Sequence, residues 1–576
     1  MKSLSSIVPG LFTVLSLGLS AHATAQSAQP PAEVRGTWLT TTANDAIASP
    51  ANSAATMRRL REIGLNTVFV ETWKNGYTQY PSQALKDIIG VDRRPALMPQ
   101  DPSDKPGALK APGRDLLGET LIEAHRQGLL YIAWFEYGFM AAHKNTDNHL
   151  RRMKPEWLSR DASGNEVAPN GFVWMNPLHP EARRFLLDLV LEAVDAYDLD
   201  GIQLDDRIVW PYYTMGYDDY TKKIYAQEHN GASPPADPKD PAWMRWRAEK
   251  VNEYSKMFVQ EIRARRPGLI ISLSPAVYPW CYENYLLEWP TWAAWTSADA
   301  LKQPEGWPGN AVTPRWDEFI PQVYRMNYPA FEKTWLEQVG FMKSMGAGRV
   351  SDLIAGIRVV GDGPDSTWDD LRKSMELVRS SGGGGHVHWF SRGVLDLYPQ
   401  QLTEFYAVAS KGHAPHPMRP ADWRPAPRVL EFVQTRRIPA AGGGGSIERG
   451  VWSFAGAPDG RYRVIARTDA GWQEIARLRI ALDAPKGQTR GFWLTHAAWQ
   501  PDFSVVRESA EWRMTGGPYS TPRVTSGSPF GKDLSPLFRL DLPTTLETPE
   551  GAKPITSVEL LIDRREEMSK APGRSE

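Results

Sequence analysis

The fold is decided by a short stretch, DGIQLDDR, at residues 200–207. Because side chains alternate along a strand, Ile202 and Leu204 share one face, and Gln203 and Asp205 share the other. In a closed barrel the apolar face is turned toward the surrounding helices, so Gln203 and Asp205 are expected to point inward. Asp205 then stands at the carboxyl end of its strand, on the rim where barrel enzymes build their sites.

Seven further β-like runs flank this stretch, separated by helical patterns or long loops. The predicted strands are Val34–Thr40, Asn66–Thr72, Leu130–Glu136, Gly201–Asp205, Leu269–Ser274, Phe319–Asn327, Leu353–Val359 and His386–Phe390. The predicted helices are Ser53–Ile63, Leu117–Gln127, Glu181–Tyr197, Trp243–Arg265, Phe331–Met345 and Trp368–Ser380. This count predicts an α/β fold, a (β/α)8 TIM barrel. The alternative, a doubly wound sheet, calls for a Gly-rich phosphate loop, and the sequence has none after an early strand.

Three long insertions follow predicted strands two, four and five. They are Trp73–Leu116, Asp206–Met244 and Pro275–Asp317, and they are rich in Trp, Tyr and Pro. Each leaves the carboxyl end of a strand, so the sequence predicts a deep cleft with aromatic walls at that rim.

The 576 residues divide into five predicted segments. We predict a signal peptide at 1–25, the barrel at 32–412 and a Pro/Gly-rich linker at 413–445. A smaller β-rich, sandwich-like region follows at 446–566, and a disordered tail at 567–576. The chain therefore has one domain large enough for a site and one of undetermined role.

The first residues have the pattern of a secretory signal peptide. Lys2 precedes a mostly apolar stretch at 7–19, and small residues follow at Ala21, Ala23 and Ala25. No later segment is apolar enough to span a bilayer. We therefore expect export to the periplasm or the exterior, without a membrane-spanning helix.

Composition excludes several classes of function. With 66 Lys plus Arg against 67 Asp plus Glu, the formal net charge is -1, and nucleic-acid binding is not expected. The single cysteine, Cys281, excludes an intrachain disulfide. His386 and His388 share a strand face but lack a spaced third ligand, so we predict no metal and no cofactor. We expect a monomer.

Acidic residues at the ends of strands are the candidates for catalysis. We predict that Asp205, Asp206 and Glu136 are catalytic, with Asp205 as nucleophile or base. The alternative is that Asp205 or Asp206 caps the loop or pairs with Arg207. Glu136 is flanked by Trp134, Phe135 and Tyr137, and desolvation there would raise its pKa as a general acid requires. A structural ion pair with Arg or Lys is the alternative for Glu136, and Glu71 and then Glu283 are the next candidates.

Other residues of the rim are predicted to contact substrate. They are Glu71, Trp73, Trp134, Trp174, Asn176, Gln203, Arg207, Trp210, Gln322, Tyr324 and Trp389, and Tyr212 and Trp280 are further candidates for subsites. For each of the tryptophans, packing in the core is as good an explanation as stacking on a sugar.

Four motifs in order resemble the glycosyl-hydrolase-like ten family of secreted bacterial barrels. They are WFEYGF at 134–139, WMNPLHP at 174–180, DGIQLDD at 200–206 and QVYR at 322–325. The resemblance covers about residues 33–410 and implies a TIM barrel that acts on glycans, among them peptidoglycan strands without stem peptides. Members of that family often carry Asn where this chain has Glu136.

Three functions remain open on the sequence. The first is a glycoside hydrolase with a glycan or oligosaccharide substrate, retaining if its carboxyl groups are about 5 Å apart and inverting at about 6.5–9.5 Å. The second is a glycan-binding barrel without catalysis. The third is a metal-dependent polysaccharide deacetylase that uses the two histidines.

Overall fold

The computed structural model describes the chain from residue 31 to residue 569 with gaps. The described ranges are 31–99, 113–302, 312–345, 349–408, 413–439, 445–455, 458–481, 491–497, 505–507, 512–514, 537–548 and 551–569. The predicted signal peptide lies outside these residues. The described residues form a barrel followed by a β-rich region.

Eight parallel strands close into the predicted barrel. They are β1 (Val34–Leu39), β2 (Thr67–Glu71), β3 (Leu130–Phe135), β4 (Gly201–Asp205), β5 (Ile270–Ser274), β6 (Glu318–Phe319 and Gln322–Val323), β7 (Ala355–Arg358) and β8 (Gly385–Trp389). Each strand pairs with the next, and β8 pairs with β1. The (β/α)8 prediction is confirmed.

Strand β6 is shorter than predicted and is split. Pro321 has no backbone N–H to donate, and the ladder is interrupted around it. The first half of β6 pairs with β5 and the second half with β7. The chain leaves the strand after Val323, and Asn327 then caps the following helix by accepting from the backbone N–H of Ala330 at 3.0 Å.

The barrel helices begin earlier than predicted because several start at proline. Pro50, Pro180 and Pro241 occupy the first turn, where a missing N–H costs nothing. The helices are α1 (Pro50–Ile63), α2 (Gln83–Ile89), α3 (Leu116–Arg126), α4 (His149–Met153), α5 (Pro180–Ala196), α6 (Asp219–Glu228), α7 (Pro241–Arg265), α8 (Trp280–Tyr285), α9 (Trp289–Ala293), α10 (Tyr328–Ser344), α11 (Trp368–Ser380) and α12 (Pro399–Val408). Among the helices of the described residues, none has the length and apolar composition needed to cross a bilayer.

A fourth long loop, which the sequence did not predict, follows β3. It occupies residues 136–179 and contains an antiparallel hairpin of Met140–His143 and Phe172–Trp174. Strands this short give no clear alternation in a sequence. Four long loops therefore leave consecutive strands, β2 to β5, on one side of the barrel mouth.

The C-terminal region consists of two five-stranded antiparallel sheets, which confirms the predicted β-rich region. One sheet contains Arg428–Val429, Ser557–Asp563, Gly460–Thr468, Gly471–Ala481 and Gly491–Ala497, and the other Glu431–Pro439, Ser446–Ala455, Leu537–Pro543, Val505–Arg507 and Trp512–Met514. A small ladder joins Thr545–Thr548 to Gly551–Pro554. Apolar side chains of both sheets, among them Trp452, Val464 and Leu540, share one buried cluster.

Residues 413–424 of the segment predicted as a linker pack against the base of the barrel. Arg424 donates from Nη1 to Asp198 Oδ2 at 2.6 Å and from Nη2 to Asp200 Oδ1 at 2.7 Å, and all three side chains are buried. Trp423 Nε1 also donates to Asp200 Oδ1, at 2.7 Å. We call Arg424, Asp198 and Asp200 the base clamp.

Two segments predicted to be a linker and a disordered tail contain regular secondary structure at their described residues. Residues 431–439 of the predicted linker form a β-strand. The predicted tail begins inside a short helix, α13 (Arg565–Met568), whose Met568 carbonyl accepts from the backbone N–H of Gly268 at 2.7 Å. Residues 570–576 lie outside the described residues.

Replacement of Arg424 by alanine should destabilise the protein by about 3–5 kcal/mol, because it leaves two buried carboxylates without their counter-charge. The control is Arg437→Ala, which breaks an exposed pair with Glu448 and should cost less than about 1 kcal/mol. Urea unfolding followed by tryptophan fluorescence measures both. Equal effects of the two substitutions would show that the base clamp contributes no more than a surface pair.

Candidate active site

Asp205 ends β4 and points into the barrel mouth, as its place in the alternation predicts. Its Oδ1 accepts from Gln322 Nε2 at 2.6 Å and from the Asp206 backbone N–H at 3.0 Å, and its Oδ2 pairs with Arg207. Burial raises the pKa of Asp205 well above its ordinary value. Arg207 opposes that shift, and the charges of Asp206 and Glu136 add to it.

Arg207 brings the predicted catalytic pair together. Its Nη1 contacts Asp205 Oδ2, lies 3.8 Å from Glu136 Oε1 and donates to the Glu136 backbone carbonyl at 3.0 Å. The guanidinium also lies 5.9 Å from the ring centroid of Tyr137. One guanidinium nitrogen therefore separates the carboxylates of Asp205 and Glu136, which come from the ends of adjacent strands.

Asp206 is less engaged than Asp205. Its Oδ1 is buried without a hydrogen bond from the described residues and lies 3.7 Å from Arg207 Nε. Its side chain is 23% exposed, against 5% for Asp205. Burial raises the pKa of Asp206, Arg207 opposes the shift, and the charge of Glu136 adds to it. Asp206 is therefore a carboxyl group with raised pKa that remains reachable from the mouth.

Glu136 and Glu71 share one ammonium group. Lys74 Nζ lies 2.8 Å from Glu71 Oε2 and 3.0 Å from Glu136 Oε2. The Glu71 side chain is fully buried, and its Oε2 also accepts from the backbone N–H of Thr41 at 3.1 Å. Burial and the charge of Glu136 raise the pKa of Glu71, and Lys74 opposes them. Glu71 is thus held in place beneath Glu136.

The prediction that Glu136 has apolar surroundings is wrong. Glu136 has two cations as neighbours, Lys74 and Arg207. Its contacts therefore match the alternative prediction, a structural ion pair. The reasoning from flanking rings failed because Lys74 comes from a different loop, the one after β2. The only signal for Lys74 in the sequence is its place three residues after Glu71.

Four rings from different strands form an aromatic floor below the carboxyl groups. They belong to Trp38, Trp134, Tyr324 and Trp389, with centroids 5.7–6.5 Å apart in the contacting pairs. Tyr324 and Trp389 stack at 5.7 Å and are half-buried, whereas Trp38 and Trp134 are buried. Within the aromatic floor, Tyr324 and Trp389 are therefore the rings that the structure leaves partly open.

Gln203 and Gln322 are both placed inside the barrel but differ in access. Gln203 is buried, accepts from Trp38 Nε1 at 2.8 Å and donates to Ser272 Oγ at 3.0 Å. Gln322 is half-buried and holds Asp205 from across the barrel. Gln203 therefore fixes the aromatic floor, and Gln322 fixes the carboxylate.

Four other predicted substrate contacts are buried within the loops. They are Trp73, Trp174, Asn176 and Trp210. Trp73 Nε1 donates to the carbonyl of Gly138 at 3.0 Å, and Asn176 Nδ2 donates to Asp218 Oδ1 at 2.8 Å. The contacts of these side chains join one rim loop to another, so their predicted role at substrate stays a prediction.

The two histidines proposed for a metal lie away from the mouth. His386 Nε2 and His388 Nε2 lie 2.8 and 2.9 Å from the hydroxyl of Tyr406, on α12. Burial lowers the pKa of both rings, that of His388 to about 3. In the described ranges, no group of three or more His, Cys, Asp or Glu side chains is arranged to hold a metal ion.

A parallel barrel with clustered carboxyl groups at the carboxyl ends of its strands belongs to the large class of TIM-barrel proteins that place their sites at this rim. The Glycosyl hydrolase-like 10 model matches residues 33–345, more than half of the chain. This protein belongs to that family.

Curated relatives in two organisms match the chain over part of its length. Glycosyl hydrolase YngK of Bacillus subtilis (strain 168) is 26% identical over 297 residues, which are 48% of this chain and 50% of that protein. Glycosyl hydrolase DigH of Escherichia coli (strain K12) is 25% identical over 280 residues, 44% of this chain and 56% of that protein. The chain spans about half the length of these relatives.

Among solved structures, the glycoside hydrolase domain of PgaB (BpsB) from Bordetella bronchiseptica aligns with a TM-score of 0.46 at 13% identity. The alignment covers 66% of this chain and all of that one. The catalytic domain of β-amylase from Paenibacillus polymyxa aligns over the same shares with a TM-score of 0.43 at 10% identity. Neither likeness bears on the reaction.

Replacement of Glu136 by glutamine should lower the pKa of Asp206, because it removes a neighbouring like charge. Carbon-13 NMR titration of the aspartate carboxyl groups measures the shift. Glu228→Gln is the matched control, since Glu228 lies on α6 and pairs with Lys250. An Asp206 pKa that stays constant or rises in Glu136→Gln contradicts the placement of these two carboxyl groups.

Proposed function

We propose that the protein is a glycoside hydrolase that cleaves O-glycosyl bonds of a bacterial glycan with two carboxyl groups. The observation that carries the proposal is the convergence of Asp205, Asp206 and Glu136 around Arg207 at the barrel mouth. Glycoside hydrolysis requires one carboxyl group to donate a proton and another to stabilise or attack the sugar cation. Membership in a glycosyl-hydrolase-like family supports the same reaction.

The contacts favour Asp206 as the proton donor and Glu136 as the ionised carboxylate, the reverse of the predicted role for Glu136. Burial raises the pKa of both Asp205 and Asp206, and Asp206 is the more exposed of the two, so it is the group placed to give a proton to the glycosidic oxygen. Glu136 lies between Lys74 and Arg207, which stabilise a carboxylate facing the developing positive charge. Asp205, held by Gln322 and Arg207, orients Arg207 and completes the charge pattern.

In this scheme the proton of Asp206 moves to the leaving oxygen as the glycosidic bond breaks. Glu136 either bonds to the anomeric carbon, or takes a proton from a water molecule that attacks the anomeric carbon. In both cases one water is consumed, and Asp206 is protonated again by the end of the cycle. The configuration of the first product distinguishes the two courses.

As substrate we propose peptidoglycan strands that lack stem peptides. The aromatic floor offers rings to the apolar faces of sugars, and the carboxyl groups above it accept hydrogen bonds from hydroxyl groups. A glycan backbone without attached peptides leaves the faces of its sugars free to stack on these rings, and the expected export brings the protein to such strands.

A second candidate function, glycan binding without cleavage, is favoured by one observation. Both oxygens of Asp205 are engaged, and Glu136 is paired with two cations. Carboxylates held in this way accept hydrogen bonds from sugars without transferring a proton. Turnover separates the two functions, because a binding protein releases no reducing ends.

Purified peptidoglycan pretreated with an amidase should release reducing ends with the wild-type protein. Asp206→Asn and Glu136→Gln should each lower kcat/KM by about 10²–10⁴-fold, because each removes one of the two reacting groups. The matched control is Asp219→Asn, an exposed carboxylate on α6, which should keep full activity. Tight binding of the strands by wild type with no product at any pH would identify the binding function instead.

We also propose that the chain is exported to the periplasm or the exterior by residues 1–25. Full-length protein made in a Gram-negative host should appear in the periplasmic fraction with Thr24 or Gln26 at its N-terminus. Leu15→Arg, which places a charge in the apolar stretch, should leave an uncleaved precursor in the cytoplasm. An uncleaved, cytoplasmic wild-type chain would contradict export.

A further inference from the structure

Trp280 differs from the other tryptophans of the described residues. Trp280 is 47% exposed, whereas the other tryptophans in the described residues whose burial is known are buried or half-buried. It begins α8, in the loop after β5, and therefore lies on the mouth side of the barrel. A large ring left open beside a site is a candidate for binding rather than for packing.

Trp280 is supported by two tyrosines of the same rim. Its ring lies 5.6 Å from that of Tyr285, which in turn lies 5.4 Å from Tyr212. The ring of Tyr212 also contacts that of Tyr213, with the two centroids 4.7 Å apart. We call Tyr212, Trp280 and Tyr285 the aromatic strip.

The backbone holds the aromatic strip in place. The N–H of Trp210 donates to the carbonyl of Tyr285 at 3.1 Å, and the N–H of Tyr213 donates to the carbonyl of Asn284 at 2.8 Å. Tyr212 has a φ of 132°, a region that bulky residues rarely adopt and that persists only where the surroundings fix it. The backbone that carries Tyr212 and Tyr285 is therefore fixed before any ligand arrives.

The aromatic strip is joined to the carboxyl cluster by the loop after β4, because Trp210, four residues after Asp206, donates its backbone N–H to the Tyr285 carbonyl. Burial and then the charge of Asp206 raise the pKa of Tyr285 to about 12, which places this phenol within electrostatic reach of the proposed proton donor. The Tyr285 hydroxyl accepts from Asn170 Nδ2 at 3.0 Å, and its ring packs on the buried Trp174 at 6.2 Å. Tyr285 thus joins Asp206 to the exposed Trp280.

We propose that the aromatic strip binds sugar rings of a long glycan chain on one side of the bond that is cleaved. The proposal rests on the proposed function, because it extends the same cleft. It makes affinity depend on chain length, because sugars bound at Trp280 add ring contacts to those made at the carboxyl groups. Packing alone does not account for the strip, because a ring as exposed as Trp280 covers little core.

The test compares long, amidase-treated glycan strands with a tetrasaccharide fragment of the same strands. Binding is measured by calorimetry in the full chain carrying Asp206→Asn, so that neither ligand is consumed. Adding Trp280→Ala should weaken binding of the long strands about tenfold, the scale of one aromatic contact, and leave the tetrasaccharide unchanged. Trp280→Phe should restore most of the affinity. Phe432→Ala is the matched control, because Phe432 is 50% exposed but lies in the C-terminal region.

The outcomes separate this proposal from the proposed function. Length-dependent loss in Trp280→Ala supports the aromatic strip even if the wild-type protein releases no reducing ends, a result that would overturn only the hydrolase. Equal loss for both ligands, or no loss for the long strands, overturns the strip even if turnover is observed. Urea unfolding of Trp280→Ala should match wild type, which excludes loss of the fold as the cause.

Discussion

The barrel closes at a single strand, and the site depends on how that strand closes it. Strand β6 pairs with β5 through its first two residues and with β7 through its last two, with Pro321 between them. The last two residues include Gln322, whose amide reaches Asp205 on β4. Tyr324 follows directly and stacks on Trp389 of β8. Closure of the sheet therefore positions both the carboxylate of Asp205 and the ring of Tyr324 in the mouth.

Charge balance gives the mouth its chemistry. Four carboxyl groups of the described residues, Glu71, Glu136, Asp205 and Asp206, are arranged around two cations, Lys74 and Arg207. Full ionisation would leave two uncompensated negative charges in a largely buried site, which is unfavourable. Burial raises the pKa of Asp205, Asp206 and Glu71, and the charge of Glu136 adds to each shift. A site of this kind favours the retention of a proton and attracts positive charge, and the proposed cleavage of a glycosidic bond requires both properties.

The sequence predicts the features of the barrel and its mouth that depend on periodicity within a single strand. Alternation places Gln203 and Asp205 inside the barrel, and the eight apolar runs predict the eight strands. Contacts between loops have no such signal. The pairing of Glu136 with Lys74 joins the loops after β3 and β2, and the burial of Trp210 depends on how its own loop folds back. In the C-terminal region an extra residue, Ile475, interrupts the alternation, so that one strand, Gly471–Ala481, resembles two short ones in the sequence.

The base clamp and the carboxyl groups of the mouth are at opposite ends of the same strand. Asp200 directly precedes β4 and is held by Arg424, and Asp205, the last residue of β4, lies five residues further along the chain. A fragment cut at residue 345, where the family match ends, would lack β7 and β8 as well as the arginine that neutralises the foot of β4. The barrel is therefore larger than the part matched by the family model, and recombinant truncations meant to isolate it need to extend past Arg424.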